Sequence, residues 1–245
     1  MRPHKSYLIC CNPRTGSWLL AEGLYNTGVA GRPQEYFVGV YEEVWFKRWG
    51  VLTYAEYLDK VIAAGTTPNG VFGAKAHWDQ FQELSSRLQQ IPGCEEMTMT
   101  ELMSKLFPDL HYLWITRRDR VRQAISYHKA VQTDRWSSIE GQNYSETKDP
   151  TFDFERIDFL LKLIVKNEEA WKQYFHKSSV KPLMVVYEEL EQDYEATIRQ
   201  ILLDLRISLP ANLVISKPRL KKQADLVTEE WVQRYNDLKK AQSGI

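Results

Sequence analysis

Charge of one sign is missing from this chain: its 245 residues carry 32 Lys+Arg against 32 Asp+Glu, a formal net charge of zero. A balanced chain offers no global field to a nucleic acid or an anionic membrane, so any anion site has to be a local cluster of cations. Long hydrophobic runs are also missing. None approaches the ~20 residues that a helical membrane span requires, so stable membrane insertion is not expected. The apolar stretch near the start is too brief for a secretion signal. Cysteine is scarce: Cys10, Cys11 and Cys94 cannot build a disulfide framework and show no metal-ligand spacing. Adjacent Cys10 and Cys11 lie in an apparent strand and read as core residues. The expectation is a cytoplasmic chain with no metal and no nucleic-acid partner. Repeats, low-complexity tracts and linkers are absent too, which leaves a single domain over residues 1–245 as the simplest organisation.

What is there is the rhythm of an α/β fold, short apolar runs alternating with longer amphipathic ones. Strands are expected at 7–11, 70–75, 111–116 and 183–186. Helices should follow at 16–27, 78–90, 118–131 and 190–205, with a long one over about 153–175. Thr53-Tyr54-Ala55-Glu56 and Thr98-Met99-Thr100-Glu101 have the form of capping boxes opening two more. A last helix is expected to start after Thr228. Residues 137–150, rich in Ser, Gly, Asn and Lys, read as a mobile surface loop.

The most informative segment is Tyr7-Leu8-Ile9-Cys10-Cys11-Asn12-Pro13-Arg14-Thr15-Gly16-Ser17-Trp18. An apolar strand runs through a short polar turn into a helix, a geometry that aims free backbone N–H groups and the positive helix end at one point. Arg14 adds a cation there, and Thr15 and Ser17 add hydroxyls. A nucleoside-triphosphate P-loop needs G-x-x-x-x-G-K-[ST]; here the first Gly and the Lys after Gly16 are both missing. The shorter turn resembles instead the 5′-phosphosulfate loop of sulfotransferases, with Arg14 in the place of the loop cation. A P-loop kinase or a non-catalytic nucleotide-binding protein remains the alternative.

A second cluster follows the strand at 111–116: Arg117-Arg118-Asp119-Arg120-Val121-Arg122, then Ser126. Sulfotransferases hold the 3′-phosphate of the nucleotide with an Arg just after a strand and a Ser on the next helix. Arg117 and Ser126 match by placement, and Arg118 replaces Arg117 if the strand ends one residue later. Four arginines near a helix N-terminus oppose the helix dipole, which argues for an anionic partner.

Further segments narrow the resemblance. Gly31-Arg32-Pro33-Gln34-Glu35-Tyr36-Phe37 is similar to a segment of the bacterial trehalose 2-sulfotransferase family, as are Thr67 to Lys75 with Trp78-Asp79-Gln80, Ser126 to Thr133 with Trp136, and Lys217-Pro218 through Tyr235. The likeness runs from about Tyr7 to Tyr235. Departures are Trp18, where the family usually has a small residue, and His77, where it is usually apolar. Residues 39–50 and 93–105 show no match.

The resemblance implies a P-loop-like three-layer sandwich with a central, mainly parallel sheet flanked by helices. It implies transfer of a sulfuryl group from 3′-phosphoadenosine-5′-phosphosulfate (PAPS), without a metal, to a hydroxyl of a small acceptor, leaving 3′-phosphoadenosine-5′-phosphate (PAP). It also implies a homodimer. The loop from Arg14 through Thr15, Gly16, Ser17 and Trp18 would hold the 5′-phosphosulfate, and Arg14 would also stabilise charge on the leaving group. Arg117 and Ser126 would hold the 3′-phosphate, with Arg219 and Lys222 of a basic C-terminal loop adding contacts. Glu35 matches the family's catalytic base, and His77 is the rival base or an acceptor ligand. Gln34 and Lys75 fall on the acceptor side, and Phe37, Trp78 and Trp136 offer aromatic faces for a sugar. The acceptor itself, whether sugar, glycolipid headgroup or secondary metabolite, and whether sulfated on a hydroxyl or an amine, is not legible.

Overall fold

The computed structural model describes residues 2–136, 149–219 and 226–243. The expected loop at 137–150 falls mostly outside them, and so does Lys222. In chain order the elements are β1 (Lys5–Cys11), α1 (Ser17–Asn26), α2 (Gly39–Trp49), α3 (Tyr54–Gly65), β2 (Val71–His77), α4 (Trp78–Leu88), α5 (Met99–Leu106), β3 (Leu110–Thr116), α6 (Arg120–Thr133), α7 (Phe154–Lys177), β4 (Leu183–Val186), α8 (Tyr187–Gln192), α9 (Tyr194–Asp204) and α10 (Leu226–Ser243). The strands form one sheet in the order β2-β1-β3-β4, and every pairing is parallel.

β1 is buried along its whole length, as a central parallel strand must be when helices cover both faces. Its side chains alternate between two cores. Leu8 and Cys10 join Phe72, Ala74, Tyr112 and Trp114 beneath α3, α4, α5 and α7. Tyr7, Ile9 and Cys11 join Leu113, Ile115 and Val185 beneath α1 and α9. The result is the three-layer α/β sandwich that the resemblance implied. A third cluster joins α6, α7 and α10 through Ile125, Ile157, Leu160, Trp231 and Tyr235.

Local chemistry explains most boundaries. Thr53 and Thr98 form full capping boxes with Glu56 and Glu101. Asp119 accepts from the Arg122 N–H at 2.8 Å and so delays α6 to Arg120. Two expectations are corrected. The helix expected at 190–205 is two helices, because Asp193 leaves helical geometry (φ −136°, ψ 75°) and its side chain caps α9 from the Ala196 N–H. The last helix starts at Leu226, before Thr228 rather than after it. Residues 39–49, part of a stretch that matches no segment of the resembled family, are helical. Among the described residues no helix is long and apolar enough to cross a membrane.

Candidate active site

In a parallel sheet, ligands sit outside the carboxyl ends of the strands, where the chain order turns in opposite directions. β1 is that point here, with β2 on one side and β3 on the other. Arg14 follows β1, His77 ends β2, Arg117 follows β3 and Tyr187 follows β4.

The turn after β1 is held open by its backbone. Gly16 sits at φ +81° as the residue before α1, and Arg14 is left-handed at φ +66°. A Cβ on Gly16 would lie 2.3 Å from the Tyr187 ring, so the aromatic closes the back of the turn. The loop is also tied from outside. Gln123 Nε2 donates to the Pro13 carbonyl at 2.8 Å, Asn12 Nδ2 to the Ile164 carbonyl at 3.2 Å, and Trp171 Nε1 to the Cys11 carbonyl at 3.3 Å. Thr15 is buried, and its hydroxyl donates to the Asn12 carbonyl at 2.9 Å, so that donor serves the turn itself. These contacts keep the first N–H groups of α1 facing one place, the arrangement that suits an anion.

Arg14 and Arg117 meet beside the turn. Arg14 Nε donates to Ser126 Oγ at 3.0 Å, and its terminal nitrogen donates to the Trp136 carbonyl. Arg117 donates to the Arg14 carbonyl at 3.2 Å and lies over the Tyr187 ring at 4.6 Å. Arg117 Nε is buried with no hydrogen-bond partner among the described residues. Burial first, and the neighbouring Arg117 charge second, lower the Arg14 pKa to about 10. Two guanidiniums this close, one with an orphaned donor, fit a bound anion. The expected loop cation Arg14 and the expected 3′-phosphate serine Ser126 are thus in direct contact, which sequence placement had kept apart.

The neighbouring arginines have other partners. Arg118 is exposed and bonds Glu189, with its N–H on Glu188. Arg120 pairs with Glu168 at 2.8 Å, and Arg122 with Asp119 and Glu229. The argument that four cations at one helix start demand an external anion therefore fails for three of them. Arg117 alone of the four faces the turn after β1.

On the other side of the turn, Glu35 is clamped. The Glu35 segment runs beside β2, where Lys75 N donates to the Gln34 carbonyl at 2.9 Å. Lys75 and His77 are two apart on β2, so they share a face. Lys75 Nζ lies 2.6 Å from Glu35 Oε1, and His77 Nε2 lies 3.3 Å from the same oxygen. Lys75 is fully buried, reaches Ser17 Oγ at 3.5 Å, and sits 3.7 Å from the centre of the Trp18 ring. Behind His77, Nδ1 meets Cys11 Sγ at 3.6 Å. Burial works against the Glu35 charge, but the His77 hydrogen bond and the Lys75 charge outweigh it and hold the carboxyl well below the usual range. Burial likewise opposes a charged His77, but contacts with Cys11 and Glu35 raise its pKa to about 10.

The remaining expected residues divide. Gln34 is exposed beside Glu35. Trp136 is 43% exposed, its ring edge-on to Tyr127. Phe37 is corrected to a core residue: it is 1% exposed and packs edge-on against Phe107, leaving no face for a sugar. Trp78 packs mainly on Trp171 and Phe81. The Arg219 N–H bonds Glu22 on α1 at 3.0 Å. Sequence reasoning missed Tyr187, Gln123, Asn12 and Trp171. Each acts through a tertiary contact that no local pattern announces.

Comparison with known proteins places nearly the whole chain in a family. The family model described as Stf0 sulphotransferase matches residues 6–237. Trehalose 2-sulfotransferase from Mycolicibacterium smegmatis is 28% identical, over 94% of this chain and 94% of that protein. The protein of the same name from Mycobacterium tuberculosis is 27% identical, over 96% and 95%. A crystal structure of a sulfotransferase from Alicyclobacillus acidocaldarius superposes with a TM-score of 0.50 at 16% identity, covering 97% of this chain and 92% of that one, a likeness of fold.

Proposed function

The chain belongs to the Stf0 sulphotransferase family, and from that premise we propose that it moves a sulfuryl group from PAPS to a hydroxyl of a small carbohydrate or polar metabolite. The observation that carries the donor is the Arg14–Arg117 pair at the open turn, with its orphaned Arg117 Nε. The donor bears a 5′-phosphosulfate and a 3′-phosphate. The α1 N–H groups and Ser17 suit the first, and Arg117 with Ser126 suits the second. Arg14, between them, suits the negative charge that grows on the leaving phosphate oxygen. The names of the two curated relatives favour a sugar acceptor.

Sulfuryl transfer asks mainly for in-line positioning and charge stabilisation, as phosphoryl transfer does. The bond from sulfur to the bridging phosphate oxygen breaks with its electron pair going to that oxygen. A new bond forms from the acceptor oxygen to sulfur. The acceptor proton goes to Glu35, which the Lys75 and His77 contacts keep ionised. General-base assistance of this kind contributes roughly 10²–10⁴-fold. Lys75, between Glu35 and Ser17, is placed to meet the transferring group. The three cysteines are buried free thiols, in keeping with a cytoplasmic enzyme; the homodimer that goes with this reading is open to sedimentation analysis.

Calorimetric titration with PAP, 5′-AMP and magnesium-ATP tests the donor. Metal-free binding of PAP, at least about tenfold tighter than 5′-AMP, supports the reading. Preference for magnesium-ATP, or no nucleotide binding, overturns it.

A further inference from the structure

Glu35 has two cationic neighbours, and they differ in what else they touch. Lys75 Nζ is also 3.5 Å from Ser17 Oγ on the phosphate turn. An anion seated on the α1 N–H groups lies beside that hydroxyl and competes with Glu35 for the ammonium. His77 has no such second demand. Its Nε2 faces Glu35 at 3.3 Å and its Nδ1 faces Cys11 Sγ at 3.6 Å. Register explains the anchoring: His77 on β2 pairs with Cys11 on β1, so the two side chains leave the sheet on the same face. Cys11 is fully buried and cannot swing away. The groups facing this pair are therefore Lys75 from β2, Cys11 from β1 and Glu35 itself.

We propose that His77 is a positioning residue for Glu35: anchored on Cys11, it holds the carboxylate ionised and correctly aimed when the bound donor draws Lys75 to the phosphate turn. The inference deepens the proposed function and rests on its assignment of Glu35 as the base. His77 donates from Nε2 throughout and takes no proton from the acceptor.

A donor to a carboxylate favours its charged form. Removing it raises the carboxyl pKa, by about one to two units for a charge-assisted hydrogen bond. The test uses His77→Leu and His77→Gln, the second keeping an N–H donor. The Glu35 carboxyl is titrated by carbon-detected NMR in the PAP complex. Turnover is followed as PAP release from PAPS, with trehalose or water as acceptor, across pH.

The expected result is a Glu35 pKa raised by about one to two units in His77→Leu. The acid limb of kcat should move up equally and its plateau fall about tenfold, with PAP affinity within twofold of wild type. His77→Gln should recover most of both. An unmoved Glu35 pKa and acid limb in His77→Leu overturn the proposal and leave the base assignment standing. Activity in Glu35→Gln, with both His77 variants dead at every pH, makes His77 the base and overturns both. Failure of the wild type to bind PAP removes the competition for Lys75 and overturns the proposal together with the donor reading.

Discussion

A guanidinium that stacks on Tyr187, donates to the Arg14 carbonyl and keeps Nε buried without a partner among the described residues is prepared for an anion. Charge-assisted hydrogen bonds contribute about 1.5–3 kcal/mol each, or about 10- to 150-fold in affinity. Arg117→Ala should therefore weaken PAP by at least about tenfold while leaving 5′-AMP within about threefold; titration of both nucleotides measures this, and equal weakening would remove Arg117 from the 3′-phosphate. The same substitution in Arg118 should do little, since that side chain is exposed on Glu189. Sequence placement left the choice between these two arginines open. Their neighbours Glu188, Glu189 and Tyr187 come from a helix some 70 residues away in the chain, and no local pattern carries that. Arg14, Gly16 and Glu35 were legible because a strand–turn–helix and a matching motif are local signals. Phe37 was misread because an aromatic beside a candidate catalytic residue looks the same in sequence whether it faces a ligand or the core.

At the scale of elements, a buried carboxylate adds a polar tie between α7 and α10 to the apolar cluster they share with α6. Asp158 accepts from the Tyr235 hydroxyl at 2.6 Å and from Lys239 at 2.7 Å, with Lys162 at 2.8 Å. Burial opposes its charge, but these partners outweigh burial and hold its pKa below the usual carboxylate range. Lys162 and Lys239 are largely solvated and contribute little; the buried Tyr235 hydroxyl is the sensitive partner. Asp158→Ala should cost about 1–3 kcal/mol, read as a lowered urea midpoint at pH 7. A depressed carboxyl stabilises above its unfolded value near ~3.9 and loses that contribution as pH falls. The gap between wild type and variant should therefore narrow progressively as pH falls below about 4 toward the depressed folded-state value; a gap that stays constant from about pH 5 to about pH 2 would assign it to packing instead. Capping boxes made the starts of α3 and α5 legible. The break at Asp193 was not, because the apolar periodicity continues through it and a single capping side chain decides the matter.

The whole molecule places its site where four strand ends meet, so an anion bound there touches parts that belong to different cores. The turn after β1 and Tyr187 border the core beneath α1 and α9. α6, which supplies Ser126 and Gln123, belongs with α7 and α10, and Trp171 carries the loop contact into the core beneath α3, α4, α5 and α7. If these cores unfold as one unit, as a single domain over residues 1–245 requires, ligand binding must move the entire melting transition. At a PAP concentration 100-fold above its dissociation constant the stabilisation is about 2.7 kcal/mol. For a chain of this length each kcal/mol is worth about 2–4 °C, so Tm should rise by about 5–11 °C. Far-UV circular dichroism reports the helices and near-UV the packed tryptophans. Coincident curves, displaced together by PAP, are the expected outcome. Two transitions of which PAP moves only one would mean that α6, α7 and α10 melt apart from the sheet, and that the site joins two units, not one.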